Sequence, residues 1–184
     1  MILLVSAVRE ELGYLDGAAL GVGPVVVAAR MATLLVERRP DAVVLIGTAG
    51  AYPGSGLEIG QAVAARRCGL SHGVAAMGLG YVPRRPAPVE CHPEFLERVD
   101  LPRADVLTVG AVTTDTVLAG RLSDGWQVEH MEAFGAACAC AQRDVPFLAV
   151  LGISNVVGPD AHAEWLVHRN AAQDAARAAV ETLL

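Results

Sequence analysis

Two uninterrupted apolar runs constrain this chain most. They are Asp41–Ile46 (DAVVLI) and Val145–Ile153 (VPFLAVLGI). Both have strand length, and neither alternates apolar with polar. A strand that is apolar on both faces must be covered on both faces, which is the signature of a parallel sheet between helices. Met1–Ala7, Gly60–Arg67 and Val106–Val109 read as further strands. Gly21-Val22-Gly23-Pro24 starts a helix that runs to about Arg39, and a C-terminal helix runs from about His162 to Thr182. Strands alternating with helices predict an α/β fold: one domain over residues 1–184 with a mostly parallel central sheet flanked by helices.

Other segments are expected as follows. Gly47-Thr48-Ala49-Gly50 is a small-residue turn ending the strand at Ile46. Arg9-Glu10-Glu11 is an acidic turn. Residues 78–104 form a loop with one helical turn near Pro93–Val99. Thr113-Thr114-Asp115 caps a short helix to about Leu122. Val128–Arg143 is a helix burying Met131, Phe134, Cys138 and Ala141.

Composition narrows the function. The chain has 184 residues, 53% hydrophobic and 18% charged, which excludes a disordered chain and gives one sizeable core. The net charge is −6 and the basic residues are scattered, so no nucleic-acid footprint forms. There is no Lys, which excludes a P-loop lysine and a Schiff-base lysine. The apolar runs are too short to span a membrane, and the first residues show no basic region followed by a cleavage site, so no export signal is expected. A cytoplasmic protein with reduced cysteines is expected. Cys138 and Cys140 lie two apart on a helix, on different faces, and lack zinc-ligand spacing. No metal and no cofactor are expected.

Polar residues punctuate the ends of the predicted strands, where α/β sheets bind their ligands. These are Glu11, Thr48, Thr113, Thr114, Ser154 and Asn155, with Glu132 beside the helix that leads into the last strand. Each has a plain structural role open to it. Glu11 and His162 suit a solvated first helical turn, Glu132 suits a surface, Thr48 suits a helix cap and Asn155 suits a turn. Their order along the chain is more specific than any one of them.

Four segments carry a resemblance. They are Ala7-Val8-Arg9-Glu10-Glu11-Leu12, the run from Gly21 through Ile46-Gly47-Thr48-Ala49-Gly50, Val128-Glu129-His130-Met131-Glu132-Ala133-Phe134-Gly135-Ala136, and Gly152-Ile153-Ser154-Asn155-Val156-Val157-Gly158. In this order the chain resembles the nucleoside phosphorylase and nucleosidase family. Two departures stand out. Only Gly13–Leu20 separates the first strand from the glycine turn, a shortening against the family pattern. His130 interrupts what is often a Glu-Met-Glu run, so Met131-Glu132 is taken as the matching pair and Glu129 as secondary.

The resemblance implies cleavage of the N-glycosidic bond of a small-molecule nucleoside by a homo-oligomer. It assigns Glu11 to activate water, Glu132 to the ribose hydroxyls and Met131 to the ribose face. It places Thr48, Thr113, Thr114 and Trp165 around the substrate, although Trp165 also suits ordinary helix packing. Phosphorylases of the family carry an arginine two residues before the Gly-Ser/Thr turn. Leu45 stands there, so water is expected as the nucleophile, with Arg9 or Arg30 as possible substitutes for the missing cation. Asn155 replaces the aspartate usual in adenine-specific members. An amide NH2 suits the acceptor edge of a 6-oxopurine, and a donor facing a donor costs about 1–3 kcal/mol. Within the family this leans to the futalosine hydrolases, which release hypoxanthine in menaquinone biosynthesis. Methylthioadenosine/S-adenosylhomocysteine nucleosidases, 6-oxopurine nucleoside phosphorylases and a non-catalytic nucleoside-binding protein are the alternatives.

Overall fold

A computed structural model describes residues 1–184. The chain begins with β1 (Ile2–Ser6), α1 (Arg9–Leu12) and the two-residue β2 (Ala18–Ala19). It continues with α2 (Pro24–Arg38), β3 (Ala42–Ala51), β4 (Ala62–Leu70), α3 (Gly73–Ala76), β5 (Val89–Glu90) and α4 (Pro93–Arg98). The last elements are β6 (Arg103–Thr108), α5 (Thr116–Leu122), β7 (Val128–His130), α6 (Ala133–Ala141), β8 (Phe147–Val156) and α7 (Ala161–Val180).

The two apolar runs pair with each other. β3 and β8 are parallel from Val43↔Phe147 to Ala51↔Val156, and Val43, Val44, Leu45, Ile46, Leu148, Val150 and Leu151 are fully buried. β8 then pairs antiparallel with β4, β4 pairs parallel with β6, and β6 pairs parallel with β7. β7 returns to the far end of β3, antiparallel through Gly50↔Glu129 and Ala51↔Val128. β3, β8, β4, β6 and β7 therefore close into a ring. β1 and β2 extend from β3, and β5 lines the edge of β4. The sheet is mixed, with parallel pairings in the majority.

The β3 edge opposite β8 is shared. β1 occupies it from Ala42 to Leu45, and β7 occupies it at Gly50 and Ala51. Between them lies a gap, and the site described below is built there.

Several expectations need correction. Gly47–Gly50 is not a turn. β3 runs on to Ala51, because β8 pairs with it throughout. Ser154 and Asn155 likewise lie inside β8, with a register shift opposite Ala49 and Gly50. Val128–Arg143 is not one helix. Val128–His130 is a strand, and α6 starts only at Ala133. Phe134 is buried as expected, together with Ala133, Ala136, Ala137 and Cys140, while Ala141 is exposed and Met131 and Cys138 are half-buried. The acidic turn Arg9-Glu10-Glu11 takes the form of a single turn of helix. Asp115 does cap α5, accepting the Leu118 N–H at 2.7 Å, and α4 provides the helical turn expected near Pro93–Val99.

Small residues let the helices sit close. α7 packs across β8 and β3, and a Cβ on Gly152 would stand 1.9 Å from the Ala172 carbonyl oxygen. α6 packs on α2, and a Cβ on Gly135 would stand 2.4 Å from the Pro24 oxygen. In both cases the obstacle is backbone, which cannot swing aside. Gly152→Ala is therefore expected to lower stability by about 3 kcal/mol, read as a fall in urea midpoint. Gly110→Ala, where nothing lies within 4 Å of the new Cβ, is the control.

Candidate active site

Glu11 is the third residue of α1, and its side chain folds back over the start of that helix. Oε2 accepts the N–H of Ala7 at 3.1 Å and of Val8 at 3.3 Å. Oε1 accepts the N–H of Thr48 at 3.2 Å. That N–H lies on the β3 edge between β1 and β7, and the carboxylate satisfies it in place of a strand. The helix itself is held by Arg177 of α7, which donates to the carbonyls of Glu10 and Glu11 at 3.2 and 2.9 Å. Burial raises the Glu11 pKa above the ordinary carboxylate value. His130 and the N–H donors lower it in part, and the Glu132 charge pushes it up further.

The second carboxylate comes from the β7–α6 junction. Glu132 stands at the N-terminus of α6, and its Oε1 accepts the Gly23 N–H at 2.8 Å. Gly23 has φ +95° and precedes the first turn of α2, a conformation that favours glycine. Glu132 thus ties α6 to the positive end of α2, worth about 0.3–1 kcal/mol. Its pKa is also raised, chiefly by burial.

His130 lies between the two acids. Its Nδ1 accepts the N–H of Glu132 at 3.1 Å and of Ala133 at 3.0 Å. Burial holds its pKa down to about 4, so the ring is neutral at pH 7. The 3.5 Å approach of Nδ1 to Glu132 Oε2 is accordingly not an ion pair at that pH. Gly47 makes room for this group: a Cβ there would meet Glu11 Oε1 and His130 Nε2, each at 3.1 Å.

Three residues further along β3, about 10 Å away, Asn155 of β8 packs on Gly50. Its Oδ1 lies 2.9 Å from Ser154 Oγ, which donates to it, and its Nδ2 donates to the Val156 carbonyl at 3.3 Å. Trp165 of α7 donates from Nε1 to Thr48 Oγ1 at 3.2 Å, and His162 stacks on its ring. Glu129 of β7 accepts the Thr113 N–H at 2.9 Å and the Tyr52 hydroxyl at 3.1 Å, which anchors the segment after β6. Thr113 is buried there and Thr114 is exposed. Met131 is half-buried against a small cluster around Tyr52 and Leu107.

Sequence reasoning named Glu11, Thr48, Glu132, Asn155 and Trp165. Glu11 is hydrogen-bonded to Thr48 and Thr48 to Trp165, Glu132 stands across His130 from Glu11, and Asn155 lies apart, about 10 Å further along β3. Sequence reasoning did not single out Gly23, Gly47 or Tyr52, and it treated His130 as an interruption and Glu129 as secondary. Leu45 is fully buried. Arg9 reaches the Gly17 carbonyl, and Arg30 is exposed on α2. A surface groove of about 760 Å³ between α2 and α6 contains none of the site residues. No group of three His, Cys, Asp or Glu side chains is placed to hold a metal ion. No helix is long and apolar enough to cross a membrane.

The phosphorylase superfamily profile matches residues 15–184. The chain belongs to that superfamily. Futalosine hydrolase of Streptomyces coelicolor is 32% identical over 169 residues, covering 83% of this chain and 72% of that protein. A 5'-methylthioadenosine/S-adenosylhomocysteine nucleosidase of Geobacillus is 28% identical over 176 residues, covering 83% and 75%. Both relatives are N-glycosyl hydrolases. The fold is that of the 5'-methylthioadenosine/S-adenosylhomocysteine nucleosidase of Colwellia psychrerythraea solved with adenine (TM-score 0.84, 19% identity, 99% of this chain and 93% of that one). It is equally that of a Helicobacter pylori futalosine hydrolase mutant (TM-score 0.82, 15% identity, 99% and 96%).

In this superfamily member the buried groups leave a pH signature. Glu11, Glu129 and Glu132 have pKa values raised by burial, so the folded chain binds protons before the unfolded one does. Their contribution to stability falls as pH rises above the ordinary value of 4.5. His130 acts the other way. Its pKa drops from 6.5 to about 4 on folding, so stability is lost as pH falls through that window. His130→Asn keeps an acceptor for the two N–H groups and cannot take a proton. Urea melts are expected to show wild type losing stability relative to this variant between pH 6.5 and about 4, and running parallel to it above.

Proposed function

We propose that this chain is a purine nucleosidase that breaks an N-glycosidic bond with water, its substrate futalosine and its released base hypoxanthine, in menaquinone biosynthesis. The observation that carries the reading is the Glu11 carboxylate. It is buried and fixed by three N–H groups at the open edge of β3, and no guanidinium is among the charges acting on it. A buried carboxylate with a raised pKa is suited to take a proton from water, and the missing cation disfavours phosphate.

In this reading Glu11 takes one proton of the attacking water. The water oxygen bonds to C1′ of the ribose, and the C1′–N bond breaks with its electron pair leaving on the base. Glu132 accepts hydrogen bonds from the ribose hydroxyls, and its charge favours the cationic sugar of the transition state. Met131 lies along the ribose face. Asn155 stabilises the departing base through Nδ2–H, and the base takes its proton from solvent. The Ser154 hydroxyl on Oδ1 and the Val156 carbonyl on one Nδ2–H leave the second Nδ2–H for the acceptor edge of a 6-oxopurine. Thr48, Thr113 and Thr114 line the substrate, and Trp165 covers it from α7. A homo-oligomer and a cytoplasmic location belong to the same reading. Val22, Val25 and Val26 are exposed beside Gly23, where a second copy would cover the Glu132 end.

Incubation with futalosine, inosine and methylthioadenosine, each with and without phosphate, tests this. Hypoxanthine release from futalosine without phosphate is expected. A strict phosphate requirement overturns the water nucleophile, and release of adenine from methylthioadenosine alone overturns the substrate. Glu11→Gln should lower kcat by about 10³-fold or more with the fold intact by circular dichroism. Asn155→Asp should move the ratio of kcat/KM values toward adenine nucleosides by about tenfold or more.

A further inference from the structure

The Glu11 carboxylate has one donor on Oε1, the Thr48 N–H, and an sp² carboxylate oxygen accepts two. Its open side faces the notch above Gly47. The opposite wall of that notch is His130 Nε2. Both atoms lie 3.1 Å from the place a Gly47 Cβ would occupy, so they are separated by at most twice that distance. A water bridging two partners at about 2.8 Å each needs a span of at most about 5.6 Å, which this bound admits.

The tautomer of His130 is fixed by backbone. Nδ1 accepts two N–H groups from the start of α6, so in the neutral ring the proton is on Nε2. Nε2–H makes no hydrogen bond within the chain, although the residue is only 5% exposed. The Nε2 atom is not sealed off like the buried unpaired nitrogens of His72, His92 and Arg177, so water reaches it, and it faces an acceptor with capacity to spare.

We propose that His130 positions the attacking water. Nε2–H donates to one lone pair of the water oxygen, the water donates one O–H to Glu11 Oε1, and the second lone pair is left to attack C1′. This deepens the nucleosidase reading and rests on it. The water proton passes to Glu11, the C1′–O bond forms and the C1′–N bond breaks toward the base. His130 exchanges no proton.

The two ring nitrogens can be separated by substitution. The oxygen of Asn reproduces the position of Nδ1 and so keeps the two backbone N–H groups paired, but it removes the Nε2 donor. The amide nitrogen of Gln reproduces Nε2 and keeps the donor. With futalosine and no phosphate, His130→Asn is expected to lower kcat by about 10–100-fold with KM nearly unchanged and a wild-type urea midpoint at neutral pH. His130→Gln is expected to recover most of that kcat even where it is less stable. Wild-type kcat in His130→Asn overturns the water-positioning role while leaving the nucleosidase reading in place. So does a loss in both variants that follows stability alone. Failure of the wild-type chain to release base from any nucleoside, or a strict need for phosphate, overturns both.

Discussion

The unpaired stretch of β3 between β1 and β7 is the constraint on which the rest depends. A buried backbone N–H without a partner costs about 1–3 kcal/mol, so the chain must bring an acceptor to Thr48. It brings a carboxylate from a single turn of helix, and that turn is fixed by its own backbone at one end and by Arg177 at the other. Satisfying the edge and fixing the acid are one event. Burial and hydrogen bonding pull the Glu11 pKa in opposite directions, and burial is the larger effect. The net direction is upward, toward the pH at which a general base works best.

Small residues are the other half of the arrangement. Gly135 lets α6 approach the first turn of α2, and that approach sets Glu132 against Gly23. Gly152 lets α7 lie on β8, and from there Trp165 reaches Thr48. Gly47 leaves the notch between Glu11 and His130, and Gly50 accommodates Asn155. An Ala- and Val-rich chain with few aromatics can place helices this near the sheet, and the polar groups are carried in by that proximity.

The same residues explain what could be read from the sequence and what could not. The long apolar runs declared β3 and β8 because their burial is two-sided, and α2 and α7 had clear boundaries. Gly47–Gly50 looked like a turn because nothing local distinguishes a small-residue strand packed tightly on side chains from a loop. β7 looked helical because two of its three residues, Glu129 and His130, are polar and buried. Their partners, Tyr52, Thr113 and the start of α6, lie partly at long range, so no hydrophobic alternation marks the strand. Glu11, Thr48, Glu132 and Asn155 were legible through motifs in a familiar order. His130 was legible only as a departure from that order, since its significance lies in which nitrogen the backbone of α6 occupies.

The electrostatics of this centre also bear on which nucleophile it suits. Glu11 and Glu132 already act on each other, and the nearest ring between them is uncharged at neutral pH. An anion introduced about 6 Å from one ionised carboxylate is opposed by roughly 3 kcal/mol at an effective dielectric of about 20, and from two by about twice that. A phosphorylase offsets such repulsion with guanidinium groups, yet here Leu45 is in the core, Arg9 turns to Gly17, and Arg30 is on the exposed side of α2. Water brings no charge and supplies two donors and two acceptors to a notch that presents one open acceptor and one open donor. The two carboxylates that repel phosphate are the same groups that favour a cationic sugar, so charge alone biases this centre toward hydrolysis.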